Sequence, residues 1–399
     1  MRTILHLDLD AFFCAVEELH DPSLRGKAFA VGGRPEERGV VSSCSYAARR
    51  FGVRSAMPMS RALRLCPELI VISHHRHNYG EMSDKVMERL RNLSPLVEQI
   101  SIDEAFVDIS GLGDPAAVSR KLQSEVRGGL GLPCSVGIAS NKLVAKIATE
   151  VGKKSALSGA AAKSKGRGEA PNALTIVPPG GEAAFLDPLP ADMLWGVGPK
   201  TGAKLAANGI KTIGDIVRHP EADLIRWFGE NGRDMWRHAR GLDERPIVTE
   251  YEAKSISQEV TFARDVRDDR ALEGTLRDLS AQVGRRLRRL GLAGTTVKLK
   301  LRWPDFTTLT RQVSRPQPTD QDDEIYQAAL PLLRKVRARG QAVRLIGVGV
   351  SGFKKPLRQL GLWDAESEKR RKLQEAVDEL QKKFGKNAIK RGKRQEEKS

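Results

Sequence analysis

Two adjacent carboxylates, Asp103 and Glu104, lie in the run Ser101-Ile102-Asp103-Glu104 between apolar stretches at 97–100 and 105–110 that read as strands. At the tip of a hairpin such a pair repels itself and stays ionised only beside a counter-charge. A second acidic run stands near the N-terminus, Ile4-Leu5-His6-Leu7-Asp8-Leu9-Asp10. If the two strands are neighbours, Asp8, Asp103 and Glu104 converge into a patch of hard oxygen ligands. Such a patch suits Mg²⁺ and phosphoryl chemistry. The competing reading of an isolated Asp-Glu pair is a solvated turn. The apolar flanks weigh against it, because a solvated turn more often carries Gly, Asn or Pro.

The elements around these residues follow from apolar periodicity. A strand over about 1–10 leads into an amphipathic helix at 12–19, then a small mixed segment to about 75 that ends in a helix at 60–65. A helix at 79–93 precedes the acidic hairpin, another at 115–128 precedes a strand at 134–138, and Ser140 or Asn141 caps a helix at 142–151. This alternation predicts an α+β multidomain chain whose first sheet domain is interrupted by an insert. From 155 to 172 the composition collapses to Ala, Gly, Lys and Ser, which reads as a mobile surface loop. Residues 180–245 read as helical, and after a short linker the pattern becomes β-α-β-β-α-β.

Composition bounds the partners. The chain has 399 residues, room for two to four domains, and a formal net charge of +17. The positive charge is spread along the chain rather than gathered in one amphipathic helix, which favours nucleic acid over a membrane surface. No apolar run is long enough to cross a bilayer, and the N-terminus lacks the apolar core of a signal peptide. Cys14, Cys44, Cys66 and Cys134 are scattered, with no CxxC pair, and are expected to be reduced, mostly buried thiols of a cytoplasmic protein.

Two further segments bear on nucleic acid. Gly196-Val197-Gly198-Pro199 lacks the preceding strand and spacing of a nucleotide cradle. Between helical flanks at 189–195 and 201–208 it fits a helix–hairpin–helix, in which Gly196 and Gly198 let backbone N–H groups approach a phosphate. A plain helical turn is the alternative. The strand at 297–303 alternates strictly, with Lys298, Lys300 and Arg302 on one face. Three cations without an acid between them fit a strand lying along a phosphate backbone, while a solvated face more often mixes signs.

Taken together the motifs resemble the Y-family of translesion DNA polymerases, in its bacterial DinB type. The resemblance covers nearly the whole chain. It rests on His6-Leu7-Asp8-Leu9-Asp10-Ala11-Phe12-Phe13-Cys14-Ala15-Val16-Glu17, on Ser45-Tyr46-Ala47-Ala48-Arg49-Arg50-Phe51-Gly52-Val53, on Ser101-Ile102-Asp103-Glu104-Ala105, on Gly137-Ile138-Ala139-Ser140-Asn141-Lys142 and on Ala145-Lys146-Ile147-Ala148. It implies a right-hand polymerase: palm at 1–10 and 76–178, fingers at 11–75, a helical thumb at 179–243, a β-α-β-β-α-β little finger at 244–353, and a clamp-binding motif and basic tail at 354–399. It also implies two Mg²⁺ ions held by Asp8, Asp103, Glu104 and the Leu9 carbonyl. Tyr46, Arg49 and Ser43 would then contact the triphosphate, and Phe13 would be a steric gate under the sugar. Taken without the family, Phe13 reads as a core residue.

One departure is visible. The family pattern after the Ala-Lys-Ile-Ala helix is Lys-Pro-Asn/Asp-Gly, whereas this chain reads Gly152-Lys153-Lys154-Ser155-Ala156. Lys153 aligns with the triphosphate-contacting lysine, and Lys154 is the alternative. Near the C-terminus Gln359-Leu360-Gly361-Leu362-Trp363 resembles the bacterial sliding-clamp-binding pentapeptide, with Gln359, Leu360, Leu362 and Trp363 as its contacts. A loop end packing its own Leu and Trp is the competing reading. The implied function is low-fidelity, Mg-dependent addition of dNTPs to a primer–template, including opposite damaged bases, by a cytoplasmic, monomeric protein. No second acidic cluster suggests a proofreading exonuclease. A nucleotide cyclase and a non-catalytic, DNA-binding clamp adaptor are the rivals. The DNA-binding segments argue against the first, and the retained carboxylates against the second.

Overall fold

The computed structural model describes residues 2–158, 169–354, 373–374, 376–380 and 383–384. Two compact units divide the chain, one up to Tyr251 and one from Glu252. The 244–251 segment clusters with the first unit. The pentapeptide with Gln359, Leu360, Leu362 and Trp363 lies outside the described residues, as does 159–168 of the Ala/Gly/Lys-rich stretch.

The first unit is built on a five-stranded sheet in the order β5-β6-β1-β7-β8. Its strands are β1 (Ile4–Leu9), β5 (Val97–Gln99), β6 (Glu104–Asp108), β7 (Cys134–Ala139) and β8 (Leu174–Ile176). Strand β1 runs antiparallel to both β6 and β7, so the first acidic run and the acidic hairpin are immediate neighbours. Period-two alternation divides β1 between two cores. Leu5, Leu7 and Leu9 face helices α4 (Arg76–Leu93) and α5 (Pro115–Leu130), packing with Val86, Leu90, Leu122 and Val126. Ile4, His6 and Asp8 lie on the opposite face, where Ile4 packs with Leu143, Val144 and Ile147 of helix α6 (Lys142–Ala156).

Helix α6 is capped by Asn141, whose side-chain oxygen accepts from Val144 N at 3.0 Å. It runs five residues past the expected end, and Gly152 inside that stretch lies close against β8, where a Cβ would meet Thr175 Oγ1 at 2.3 Å. The insert between α1 (Phe12–His20) and α4 is a small three-stranded sheet. It comprises β2 (Phe29–Gly32), β3 (Val41–Cys44) and β4 (Ile70–Ile72) with the short helices α2 (Tyr46–Arg49) and α3 (Met59–Leu65). It has its own core of Ala30, Val41, Val53, Met59 and Leu69.

Residues after β8 are helical and share the core on the α6 side of the sheet. The expected helix at 189–195 is corrected to one tight turn at Ala191–Met193, since Pro188 and Pro190 each withhold a backbone donor. The helix after the glycine turn does form, as Pro199–Ala207, with Gly198 at its N-cap. The four cysteines are buried and unbridged, and no helix of the described residues is long and apolar enough to cross a membrane.

The second unit is a four-stranded antiparallel sheet in the order β11-β10-β12-β9. The strands are β9 (Ser255–Val266), β10 (Ala293–Arg302), β11 (Thr308–Thr319) and β12 (Val343–Lys354), with helices at Asp269–Arg289 and Asp322–Val336. This is the β-α-β-β-α-β pattern read from the sequence. Leu272, Leu276, Leu279, Val283 and Leu287 recur at three- and four-residue spacing and bury one helical stripe against Val297, Leu299 and Leu301.

Candidate active site

Strand register brings the carboxylates together. Asp8 and Glu104 are direct cross-strand partners, and Leu9 N donates to Asp103 O at 2.9 Å, which ties the end of β1 to the hairpin tip. Ser101 shapes that tip. Its hydroxyl donates to Asp103 Oδ1 at 2.5 Å and accepts from Asp103 N and Glu104 N.

The counter-charges come from α6. Lys153 Nζ lies 2.6 Å from Asp8 Oδ1, and Lys146 Nζ lies 2.7 Å from Glu104 Oε1. The two lysines are seven residues apart, two helical turns, and so share a face of α6. The close approach of this helix to the sheet depends on Gly137, where a Cβ would meet Ala145 O at 2.1 Å. Burial pushes the Asp8 carboxyl up to about 8 against the pull of the Lys153 ammonium. Beneath the site His6 is fully buried, its Nδ1 at 2.9 Å from Thr149 Oγ1. Burial, with Lys146 and Lys153 nearby, holds its pKa well below the usual range.

A cavity of about 550 Å³ opens beside Asp8, Leu9 and Asp103, and is also lined by Phe13, Ser43, Tyr46, Arg49, Lys153 and Lys154. Of the carboxylates and nucleotide-contact candidates, Glu104 alone does not line it; its side chain is turned to Lys146. Ser45 caps α2 by accepting from Ala48 N, which places Tyr46 and Arg49 on the cavity wall. The Arg49 guanidinium lies 4.4 Å above the Tyr46 ring and bonds Cys44 O, so its fork is held in place. Burial raises the Tyr46 phenol well above its ordinary pKa, keeping it a neutral donor. Of the two candidate lysines, Lys153 is the one on Asp8, while Lys154 is exposed.

Phe13 enters through a tight turn. Ala11 at φ 49 swings the chain from β1 into α1, so that Phe12 is buried and Phe13 faces the cavity. The Phe13 ring stacks on Tyr79 at 4.4 Å and 19°, and Tyr79 in turn donates to the buried Glu17, which also bonds His75 Nδ1 at 3.0 Å. This support was not read from the sequence, because Tyr79 and Glu17 are 62 residues apart. Asp10 is a second residue the sequence reading left without a role. It is buried, accepting from Ser135 Oγ and Asn172 N, and so braces the end of β1.

The donor set of Asp8, Asp103, Glu104 and the Leu9 carbonyl is all hard oxygen and fits a divalent cation. The ammonium seated on Asp8 shows that the position accepts positive charge. Among the described residues no three His, Cys, Asp or Glu side chains are already gathered closely enough to hold one; Lys153 and Lys146 pair with two of the carboxylates.

Away from the cavity, Gly196 has φ 103, and a Cβ at Gly196 or Gly198 would meet nothing within 4 Å, so both backbones face open space. In the second unit Lys298, Lys300 and Arg302 share the open face of the sheet. That face is not free of acid. Glu259 of β9 reaches Lys300, Nζ–Oε2 2.7 Å, a correction to the run of unopposed cations read along β10 alone.

Comparison with known proteins bears on both units. A model of the impB/mucB/samB family matches residues 7–150, and that of its C-terminal domain matches 253–362. A DNA polymerase IV of Desulfatibacillum aliphaticivorans is 41% identical, over 97% of this chain and 95% of its own. One from Streptomyces coelicolor is 44% identical, over 88% of this chain and 71% of its own. Among solved structures, a Y-family DNA polymerase chimera superposes with a TM-score of 0.76 at 24% identity, covering 88% of this chain and 98% of that one. An insertion ternary complex of Dbh DNA polymerase has a TM-score of 0.59 at 25% identity, with the same coverage. With the Desulfatibacillum relative matched over 95% of its length and a cavity lined by the motif residues, the chain belongs to the impB/mucB/samB family, alongside the bacterial DNA polymerase IV proteins.

Proposed function

We infer that this protein is a template-directed DNA polymerase of the translesion type, adding deoxynucleotides to a primer 3′ end, including opposite damaged bases. The observation that carries the reading is the single cavity on which Asp8, Asp103, Phe13, Tyr46, Arg49 and Lys153 converge. A nucleotide triphosphate needs those features together: oxygen ligands for a metal, N–H and O–H donors for phosphate, and an aromatic wall for the sugar.

Asp8, Leu9 O, Asp103 and Glu104 would hold two Mg²⁺ ions, which supply acidification of the primer 3′-hydroxyl and charge neutralisation on the triphosphate. The chain's own residues bind and orient. The Arg49 fork and the neutral Tyr46 hydroxyl donate to phosphate oxygens, with Ser43 as a further hydroxyl. Lys153, which lines the cavity beside Asp8, adds a positive charge there. Phe13, braced by Tyr79, excludes a ribose 2′-hydroxyl. Gly196 and Gly198 at the start of a helix, and the sheet face that carries Lys298, Lys300 and Arg302 in the second unit, lie along the DNA backbone. The Gln359, Leu360, Leu362 and Trp363 motif docks into a bacterial sliding clamp, and the protein works as a monomer in the cytoplasm, where its template is.

Primer extension with wild type and an Asp103→Ala/Glu104→Ala double variant tests the reading. The expected result is extension by wild type and a loss of at least about a hundredfold in the variant, which still binds primer–template. If wild type binds primer–template but adds no nucleotide, the clamp-adaptor reading replaces this one.

A further inference from the structure

The open face of the second sheet carries an acid, Glu259, among its cations. By register, Gly347 of β12 is the cross-strand partner of Lys300 on one side and of Glu259 on the other. With no side chain between them, the Lys300 ammonium crosses β12 and meets the Glu259 carboxylate at 2.7 Å. The gap is enforced, since a Cβ at Gly347 would lie 2.8 Å from Glu259 Cβ. Lys298, one step along β10, is exposed and makes no ion pair among the described residues, and Arg302 Nε donates to Thr308 Oγ1. The three cations are therefore unequal. Two carry undiminished charge and one is neutralised by an acid from two strands away.

We propose that Glu259 limits the affinity of this face for DNA by holding Lys300 away from the phosphate backbone. The inference rests on the reading that the open face meets DNA, which its charge favours. A phosphate arriving at Lys300 has to displace a carboxylate that then remains beside it as a like charge. The pair is half exposed and so exchanges readily. The sheet thus engages one phosphate fewer than its cations allow, which suits an enzyme that releases its template after a few additions.

The test is the salt dependence of primer–template binding by the full chain, for wild type, Glu259→Gln, Lys300→Gln, the double variant and Lys298→Gln. Each phosphate contact adds about 0.9 to the slope of log affinity against log salt. Glu259→Gln is expected to bind more tightly and to steepen the slope by roughly that amount, and the steepening is expected to vanish in the Lys300→Gln background. A Glu259→Gln slope parallel to wild type, with Lys298→Gln flatter, overturns the proposal and leaves the DNA face standing. Steepening that persists without Lys300 overturns it too. Unchanged slopes in both Lys298→Gln and Glu259→Gln remove the DNA face itself.

Discussion

At the scale of single residues, the cavity assigns different work to neighbours of similar type. Phe12 and Phe13 are adjacent aromatics, yet the left-handed Ala11 buries the first and turns the second toward the cavity. Phe13→Ala is therefore expected to admit ribonucleotides, lowering discrimination against the 2′-hydroxyl by roughly 10- to 200-fold. Competing dNTP and rNTP insertion opposite one template base measures it, and unchanged sugar selectivity would take the gate role away from Phe13. Lys153 and Lys154 are likewise adjacent, but helical geometry sends only the first onto Asp8.

Among elements, α6 is the one on which the site depends. It brings Lys146 and Lys153 to the carboxylates, and it can do so only because Gly137 leaves room for its backbone. Gly137→Ala forces a Cβ against Ala145 O, and a stability loss of about 1–3 kcal/mol is expected, with reduced extension activity as the lysines shift. Denaturant unfolding beside primer extension checks both. Retained stability and full activity would show that the helix tolerates displacement. The turn at 191–193 carries the opposite lesson, since two prolines override a stretch whose apolar residues otherwise suit a helix.

For the whole molecule, the end of the first unit is fastened by a buried ionic hub. Glu98 pairs with Lys142 at 2.8 Å and also accepts from Val248 N and Tyr251 Oη, while Lys142 donates to Pro246 O. Burial works against ionising Glu98, but the bonds from Lys142, Tyr251 and Val248 outweigh it and hold its pKa below the ordinary 4.5. A carboxylate with a depressed folded pKa contributes stability that is present above its unfolded value and lost as pH falls through the folded one. Wild type should accordingly lose stability below about pH 4.5 faster than Glu98→Gln, whose amide does not titrate there, as thermal melts across the acid range would show. Equal acid sensitivity of the two proteins would mean that the hub is not held by the ionised form.

The chemistry-bearing residue types and most of the elements were legible in the sequence, because local rules decide them. Apolar stretches marked β1 and β6, strict alternation marked β10, three- and four-residue spacing marked the long helix after β9, and Ser140 or Asn141 marked the start of α6. The three short strands of the small sheet were not legible, since four or fewer residues carry too little periodicity. Nor were the pairings that cross long stretches of chain. Lys146 with Glu104, Tyr79 with Glu17, and Glu259 with Lys300 across a glycine depend on strand register and on which helix covers which face. The sequence by itself determined that oxygen ligands, phosphate donors and cationic strands exist here. Only the tertiary structure decided which lysine answers each carboxylate, because side-chain charges interact over a few ångströms in space and not along the chain.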